Sequence, residues 1–343
     1  MTTYGILQSP RHKRVYLEQA GAISANELIF IGGLLSQPIT NIREADIGGV
    51  PYILFDQEEA LTAADIRQLS RLSFAYAMFE IRGGLLAPIE IDRGYFIDED
   101  ISAILKYSGK TNELFTRLMI NLALAYQPQH EAVRLLDPMA GKGTTLYEGL
   151  MQNCHVYGVE IDPKPVYESY IYIKKHLEMA RYKHSSHTEK ISGVDISGKK
   201  FTATRYQVEL GKGKQREGQS HQFEIIAGDT RHMRTFYKKN FFHAIVADLP
   251  YGVKHGAKKK PQEAGLTRNA MGLLKDALPE WIKVLKPGGV IALAWNLFLI
   301  NRGEMENLFA KHGITVPEGI KDLDFSHRLD QATHRDLILG RLQ

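Results

Sequence analysis

The stretch LLDPMAGKGTTLYEGL, residues 135–150, decides the fold class, because it combines a buried strand, a glycine-rich turn and the start of a helix. Gly141 and Gly143 let the backbone turn sharply and approach a ligand without a Cβ atom in the way. Thr144 and Thr145 open the helix, and the first amide groups of a helix have no partner within it. The turn therefore predicts a ligand site beyond the carboxyl end of a strand.

Short apolar runs alternate with helical stretches on both sides of this turn. Strands are predicted at residues 133–137, 155–161, 224–229, 244–249 and 290–296, and helices at residues 166–180 and 273–285. The strands are rich in Val, Ile or Leu, as are strands buried on both faces of a parallel sheet. The alternation predicts a doubly wound α/β sheet, whose ligands bind beyond the carboxyl ends of the strands.

The first hundred residues differ from the rest in pattern and in charge. A strand is predicted at residues 52–55, an amphipathic helix at 62–80 and a second strand at 85–91. We therefore expect residues 1–100 to form a smaller α/β domain and residues 101–343 to form the main domain. Residues 1–100 hold 8 Lys/Arg and 14 Asp/Glu, a balance of −6, so residues 101–343 must carry +10 to give the net charge of +4. This asymmetry predicts that the second domain contacts a polyanion.

Residues 183–222 interrupt the alternation. They contain 8 Lys/Arg against 4 acids, several glycines and a β-like centre at residues 201–210. The length is unusual for a connection between a helix and a strand. A functional loop and a disordered insert both have this composition, and the sequence leaves the two open.

Carboxyl groups at the ends of predicted strands complete a nucleoside site. Asp137 is placed to accept from an ammonium group or from the turn itself. Glu160 lies 23 residues later, where an acid can accept from both ribose hydroxyls, and Asp229 is placed to accept from an adenine amino group. A dinucleotide fingerprint would need glycine in place of Leu146, and a Walker loop would need Ser or Thr after Lys142. These departures exclude a dehydrogenase and a phosphate-binding loop.

The apolar run AIVADLPYG, residues 244–252, ends in the tetrapeptide Asp248-Leu249-Pro250-Tyr251. Asp248 can accept one N–H of a planar amine, and the Leu249 carbonyl can accept the other. Both contacts strengthen as positive charge develops on the nitrogen, which stabilises the transition state more than the ground state. Tyr251 offers a stacking face worth about 1–3 kcal/mol per base. With the nucleoside site upstream, the tetrapeptide predicts methyl transfer to a base amino group, with flipping of a paired base.

A basic segment, GVKHGAKKKPQEAGLTR, follows at residues 252–268. The residues predicted to contact substrate phosphates are Lys254, His255, Lys258, Lys259 and Lys260. A solvated loop would also account for such a charge run. His184 and His187 have metal-ligand spacing, but without a third partner we expect no metal site.

The bulk composition is that of a cytoplasmic enzyme. Residues 1–10 lack the layout of a signal peptide, and no run of eighteen apolar residues indicates a membrane span. Cys154 is the single cysteine, so no intramolecular disulfide is expected.

These motifs together resemble the class I S-adenosylmethionine-dependent methyltransferases and, more narrowly, the tRNA guanine-N2 methyltransferase family. The resemblance covers about residues 105–343. It implies a seven-stranded Rossmann-like domain, S-adenosyl-L-methionine as cofactor, and RNA, in particular tRNA, as substrate. The stretch KYSGKTNELFTRLMINLAL, residues 106–124, resembles the family's segment that closes over the methionine part of the cofactor. The predicted cofactor residues are Thr111, Asn112, Glu113, Asp137, Ala140, Gly141, Gly143, Thr144, Thr145, Glu160, Asp229 and Thr230.

The chain departs from the family pattern in three places. Leu249 replaces the first proline of the usual Asp-Pro-Pro-Tyr, residues 1–100 do not resemble the RNA-binding THUMP module, and residues 183–222 have no counterpart. The expected reaction is in-line transfer to guanine N2 without a covalent enzyme intermediate. Methylation of adenine N6 in DNA, methylation of a protein amide, and a non-catalytic RNA-binding or assembly role stay open as alternatives.

Overall fold

The structure is a computed structural model. It describes residues 1–10, 14–103, 112–128, 132–195, 198–211, 220–250 and 270–343.

The N-terminal part of the chain forms an antiparallel five-stranded sheet with the strand order β2-β3-β1-β4-β5. Its elements are β1 (Thr2–Gln8), α1 (Arg14–Gly32), β2 (Thr40–Ile47), β3 (Val50–Gln57), α2 (Ala63–Ser70), β4 (Ala75–Arg82) and β5 (Leu85–Ile89). Ile6, Leu28, Ile53 and Phe55 are buried in its core, so α1 packs against β1 and β3. The strand predicted at residues 52–55 lies within β3, and the strand predicted at 85–91 corresponds to β5.

The helix predicted over residues 62–80 was wrong beyond residue 70. A capping box between Thr62 and Asp65 starts α2, but the helix ends at Ser70. The following residues form β4, which pairs with β1 on one side and β5 on the other. These two neighbours satisfy the backbone of β4 along its length, and such tertiary pairing overrides local helix propensity.

The rest of the chain builds a ten-stranded mixed sheet with the order β13-β15-β12-β11-β6-β7-β10-β9-β8, and β14 pairs with β15. Its strands are β6 (Arg134–Asp137), β7 (His155–Glu160), β8 (His184–Val194), β9 (Lys200–Leu210), β10 (His221–Ala227), β11 (Phe242–Asp248), β12 (Leu285–Asn296), β13 (Ile314–Thr315), β14 (His327–Arg328) and β15 (His334–Leu342). The helices are α3 (Asp100–Ala103), α4 (Glu113–Tyr126), α5 (Thr144–Met151), α6 (Pro163–Met179), α7 (Met233–Phe236), α8 (Ala270–Val284), α9 (Arg302–Lys311) and α10 (Glu318–Lys321).

The centre of this sheet is parallel, as predicted. β6 pairs in parallel with β7 and with β11, and β10 and β12 extend the two sides. Residues 242–247 of β11 are all buried, because both faces of a parallel sheet are covered. The chain runs outward from β6 through β7 to β10 and then crosses back to β11. The order of the strands therefore reverses between β6 and β11, which is where an open α/β sheet forms its ligand crevice.

The basic segment at residues 183–222 is neither an irregular loop nor a disordered insert over its described part. β8 and β9 pair in antiparallel register from His184↔Leu210 to Val194↔Lys200, and β9 continues the sheet from β10. Within the described ranges this sheet has ten strands where seven were expected, and β8, β9 and β14 account for the difference. The β-like centre at residues 201–210 marked β9, but its partner β8 is too polar to be recognised as a strand from its sequence.

A buried carboxylate joins the two sheets. Glu27 of α1 accepts hydrogen bonds from the Ser73 amide at 3.0 Å and from the Asn121 side chain of α4 at 2.7 Å. Burial raises the pKa of Glu27, and these bonds oppose that shift. The contact fixes α1 against α4, whose N-terminal end carries predicted cofactor residues.

The described residues also bear on the predicted thiol, membrane and metal properties of the chain. Cys154 is a buried free thiol. No helix in the described ranges is both long and apolar enough to cross a membrane. No group of three or more His, Cys, Asp or Glu side chains that the structure describes could hold a metal ion.

Candidate cofactor and active site

The crevice beyond β6 and β11 brings together carboxyl groups that lie far apart in the sequence. Asp137 ends β6, Glu160 ends β7 and Asp248 ends β11. The charges of Asp248 and Glu160 both act on Asp137 and favour its protonated form. The three predicted acids therefore share one electrostatic environment at one edge of the sheet.

Asp137 is the most deeply buried of the three, with 3% of its surface exposed. Its Oδ1 atom accepts a hydrogen bond from the Met139 amide at 2.9 Å, and the Thr145 side chain also hydrogen-bonds to the carboxyl group. Burial, with a further contribution from the neighbouring acids, raises the pKa of Asp137 to about 7. A buried carboxyl of this kind favours a nearby cation, because a cation offsets the cost of its ionisation.

The glycine turn has the backbone conformation that its sequence predicts. Gly141 and Gly143 have φ values of +52° and +87°, in the left-handed region. A Cβ atom on Gly143 would lie 2.8 Å from the Ser169 hydroxyl oxygen, so α6 leaves no space for a side chain there. The Ala140 amide donates to the Val159 carbonyl at 3.0 Å and ties the turn to β7. The backbone can therefore approach a ligand closely at this point.

Glu160 holds the same turn from the neighbouring strand. Its Oε2 atom accepts from the Gly141 amide at 3.1 Å, and its Oε1 atom accepts from the Asp162 amide at 2.9 Å. A carboxylate offers about four acceptor positions, so these bonds are compatible with the predicted contacts to ribose hydroxyls. Ile161 follows with 60% of its surface exposed, so an apolar side chain lies next in the chain to the acid that is predicted to bind the ribose. Ile161 is not among the residues predicted from the sequence, although its place directly after a strand-end acid was a usable signal.

Asp229 lies at the end of β10, where it caps a 3₁₀ turn at Thr230–His232. The Arg231 side chain donates hydrogen bonds to the Asp229 carboxylate from Nε at 3.0 Å and from Nη2 at 2.6 Å. Although burial works in the opposite direction, these bonds and the charge of Arg231 hold the pKa of Asp229 below its ordinary value. Asp229 is therefore an ionised acceptor. Arg231 was not predicted from the sequence. Its ion pair with Asp229, two residues earlier, forms only because the backbone turns between them.

Two predicted cofactor positions also have structural roles. The Thr230 hydroxyl accepts a hydrogen bond from the Trp281 indole at 2.7 Å, which fastens the 3₁₀ turn to α8. Asn112 caps α4, and its side-chain oxygen accepts from the Leu114 amide at 2.8 Å. Glu113 follows in the first turn of the helix. A cofactor role for these residues stays a prediction.

Asp248 and Leu249 continue β11 into the crevice. The Leu249 amide donates to the Ala294 carbonyl of β12 at 2.8 Å, so the sheet fixes the main chain of the tetrapeptide. The Oδ2 atom of Asp248 lies 3.4 Å from the Nη2 atom of Arg335. The Asp248 side chain is 14% exposed and that of Arg335 is 3% exposed. Pro250 is half-buried at the end of the described segment.

The remaining predicted residues cannot be placed in this geometry. Thr111, Tyr251, Lys254, His255, Lys258, Lys259 and Lys260 lie outside the described residues. Their proposed roles stay predictions.

Known proteins similar to this chain include one methyltransferase family and several solved structures. Residues 108–288 match the family model UPF0020, described as RMKL-like, methyltransferase domain. No curated protein has significant sequence similarity to the chain. Among solved structures, TrmN from Thermus thermophilus matches with a TM-score of 0.40 and 14% identity over 90% of this chain. This chain spans only 61% of TrmN.

Two further solved structures are similar. The rRNA methyltransferase aviRa from Streptomyces viridochromogenes matches with a TM-score of 0.39 and 14% identity, over 74% of this chain and 94% of that chain. An rRNA methylase from Streptococcus thermophilus matches with a TM-score of 0.36 and 10% identity, over 69% of this chain and 100% of that chain.

The family match covers more than half of the 343 residues and includes β6, the glycine turn and the Asp248 tetrapeptide. The chain therefore belongs to the RMKL-like methyltransferase domain family, with the class I α/β fold and S-adenosyl-L-methionine as its cofactor.

Proposed function

We propose that this protein transfers a methyl group from S-adenosyl-L-methionine to an exocyclic amino group of RNA, in particular to guanine N2 in tRNA. One observation carries the proposal. Asp248, an acceptor suited to an amine, ends β11, and β11 pairs in parallel with β6, the strand that leads into the glycine turn. Amine acceptor and cofactor site are thus parts of one crevice.

The described residues fit the cofactor in charge and in shape. The bound cofactor supplies an electrophilic methyl group on a positively charged sulfur. Asp137 is suited to the cationic methionine end, Glu160 to the ribose hydroxyls and Asp229 to the adenine amino group. Gly141 and Gly143 allow close approach of the backbone between these acids. Thr111, Asn112, Glu113, Ala140, Thr144, Thr145 and Thr230 complete the proposed cofactor set.

At the other end of the crevice, Asp248 and the Leu249 carbonyl each accept one hydrogen of the target amine. The nitrogen would gain positive charge as its bond to the methyl carbon forms and the bond between that carbon and the cofactor sulfur breaks, and both acceptors would stabilise that charge. One proton leaves the nitrogen in the same reaction, and the Asp248 carboxylate can accept it. Pro250 and Tyr251 complete the proposed site, with Tyr251 as the stacking face for the base.

The charge distribution supports a nucleic acid as the substrate. Residues 101–343 carry +10, and the basic run at residues 252–268 directly follows the tetrapeptide. We propose that Lys254, His255, Lys258, Lys259 and Lys260 contact phosphates. We also propose residues 101–343 as the methyltransferase domain, residues 1–100 as an accessory domain, and the cytoplasm as the site of action.

The decisive experiment measures transfer of labelled methyl groups from S-adenosyl-L-methionine into unmodified tRNA, ribosomal RNA and DNA in parallel, followed by mass analysis of nucleosides. We expect N2-methylguanosine from tRNA. Asp248→Ala should remove most turnover while cofactor affinity stays within about threefold, because it removes a contact made at the reacting amine. Glu59→Ala is the control, because it removes an exposed carboxylate before α2. It should leave turnover and cofactor affinity unchanged.

Other outcomes would redirect the assignment. N6-methyladenine in DNA would support the DNA alternative, and label in added protein would support amide methylation. Normal turnover by Asp248→Ala would refute the proposed role of the tetrapeptide. Cofactor binding with no transfer to any of these substrates would favour a binding role.

A further inference from the structure

A buried cation lies directly behind Asp248. Arg335 belongs to β15, which pairs with β12 on the side opposite to β11. The β12–β15 register places Arg335 beside Asn296, two residues past the Ala294 that pairs with Asp248. The Arg335 side chain therefore spans β12 to reach the Asp248 carboxylate, with the Nη2 and Oδ2 atoms 3.4 Å apart.

The Phe115 ring packs against the Arg335 guanidinium, and the His327 ring packs against Phe115. The Arg335 Cζ atom lies 4.7 Å from the centre of the Phe115 ring of α4. His327 of β14 pairs with Arg335 in the sheet, and its ring lies 4.8 Å from that of Phe115. Burial, and then the charge of Arg335, lower the pKa of His327 to about 4, so the imidazole is neutral at pH 7. The guanidinium thus packs against an aromatic ring, and the neutral His327 adds no second positive charge beside it.

A cation is unusual at this position of the sheet. Beyond the buried Asp336, which pairs with Arg302, the next residues of β15 are apolar and fully buried: Leu337, Ile338 and Leu339. Burying a guanidinium is costly unless a partner compensates its charge, and an apolar side chain would fill such a site more readily. Asp248, the residue proposed to accept a hydrogen bond from the target amine, contributes to this compensation.

We propose that Arg335 is a positioning residue for methyl transfer. Its ion pair with the Oδ2 atom of Asp248 restricts the orientation of the carboxylate that is proposed to accept a hydrogen bond from the target amine. A carboxylate paired with a buried guanidinium cannot rotate freely, and small errors in the orientation of reacting groups reduce the rate strongly. The inference rests on the proposed function, because Asp248 must act on the amine for its orientation to matter.

The contact also links substrate and cofactor. Phe115 lies on α4, whose N-terminal end carries the proposed cofactor residues Asn112 and Glu113. A shift of α4 on cofactor binding would move the ring against which the guanidinium rests. The same helix thus contributes to both ends of the crevice.

The test compares Arg335→Gln and Arg335→Lys with the wild-type protein by steady-state methyl transfer to the RNA substrate, calorimetric affinity for S-adenosyl-L-methionine and thermal unfolding. We expect Arg335→Gln to lower kcat by about 10- to 100-fold, the range for residues that orient an active ligand, with cofactor affinity within about threefold. Arg335→Lys keeps a positive charge and should recover at least about fivefold of that loss.

Arg302→Gln is the matched control. Arg302 of α9 pairs with the buried Asp336, the residue after Arg335, at 3.0 Å. The substitution removes an ion pair to the neighbouring residue of β15 and leaves the pair of Arg335 and Asp248 in place. We expect a lower melting temperature and a kcat within about twofold of wild type, because removing one partner of a buried pair destabilises the fold.

The outcomes separate the inference from the function on which it rests. Methyl transfer by the wild type with an equally active Arg335→Gln variant would overturn the positioning role alone. Equal losses of kcat in Arg335→Gln and Arg302→Gln would show a purely structural effect and would also overturn it. Arg335→Gln could fail to fold, and Arg335→Lys then provides the test. A folded Arg335→Lys variant with wild-type kcat supports the role of the positive charge. A folded Arg335→Lys variant with wild-type cofactor affinity but no turnover contradicts that role. Absence of transfer by the wild type to any RNA would refute the proposed function itself.

Discussion

Asp137 and Thr145 hold the two ends of the glycine turn together, because the Thr145 side chain at the start of α5 hydrogen-bonds to the carboxyl group at the end of β6. The turn is therefore closed by a group that is itself close to half ionised at neutral pH. Cofactor binding and the proton on Asp137 should consequently be linked.

We expect the affinity for S-adenosyl-L-methionine to depend on pH through Asp137. The pKa of this carboxyl is about 7 in the folded protein. A bound cation favours the ionised form, so affinity should be about tenfold higher at pH 8 than at pH 6, with proton release near pH 7. Calorimetry in two buffers of different ionisation enthalpy measures both quantities. A flat affinity from pH 6 to 8 would contradict the assignment of Asp137 to the cationic end of the cofactor.

Asp137→Asn should stabilise the cofactor-free protein at alkaline pH while weakening cofactor binding. The folded-state pKa lies above the ordinary value of 3.8. Between pH 4 and pH 7 the unfolded chain therefore loses this proton while the folded protein keeps it, so the free energy of unfolding falls as pH rises. Above pH 7 the carboxyl is ionised in both states, and the full cost of burying its charge then lowers the free energy of unfolding. We expect Asp137→Asn to raise the free energy of unfolding by about 0.5–2 kcal/mol at pH 8 and to have little effect near pH 4. Urea unfolding at both pH values checks this, and a loss of stability at pH 8 would count against it.

Gly143→Ala should disrupt the cofactor turn. The alanine would adopt an unfavourable left-handed conformation, which costs about 1–2 kcal/mol, and its Cβ would collide with Ser169. Gly288→Ala is the control, since Gly288 has a φ of +74° but nothing within 4 Å of the added Cβ. Both variants should unfold at lower temperature, and only Gly143→Ala should lose cofactor affinity, by about tenfold or more. Equal cofactor affinity of the two variants would argue against close approach of this backbone to the ligand.

Glu160→Gln should weaken cofactor binding about tenfold, because a neutral amide is a poorer acceptor for ribose hydroxyls than a carboxylate. Glu168→Gln provides the comparison. Glu168 forms an ion pair with Lys142 of the same turn at 2.7 Å, but its side chain is 39% exposed. Exposed pairs contribute about 0–1 kcal/mol, so its loss should change affinity by less than about threefold. Parallel titrations with S-adenosyl-L-methionine distinguish the two, and equal effects would remove Glu160 from the ribose assignment.

The parallel core and the crevice could be predicted from the sequence because their signals are local. A fully buried strand has a continuous apolar run, and a turn that needs positive φ is marked by Gly141 and Gly143. Once the strands are known to be parallel, their carboxyl ends must share an edge, which brings Asp137 and Asp248 together. The described geometry of these residues agrees with that expectation, while their roles towards ligands stay predictions.

The features that sequence reasoning missed depend on distant pairing. Residues 75–82 have apolar positions that also suit a helix, and only the neighbouring strands β1 and β5 determine that they are extended. The polar strand β8 becomes a strand because β9 pairs with it along eleven residues. Arg335 meets Asp248 only through the register of β12 and β15, which no local pattern encodes.

The buried thiol of Cys154 makes this protein well suited to site-specific chemical labelling. Only 1% of its surface is exposed, and burial raises its pKa to about 12, so almost none of it is the reactive thiolate at pH 7. A cysteine introduced at His187, an exposed position on β8, would be the one accessible thiol in the chain. A maleimide fluorophore could then be attached at a single defined point without first replacing a native residue, and its emission could report the approach of RNA to the hairpin of β8 and β9.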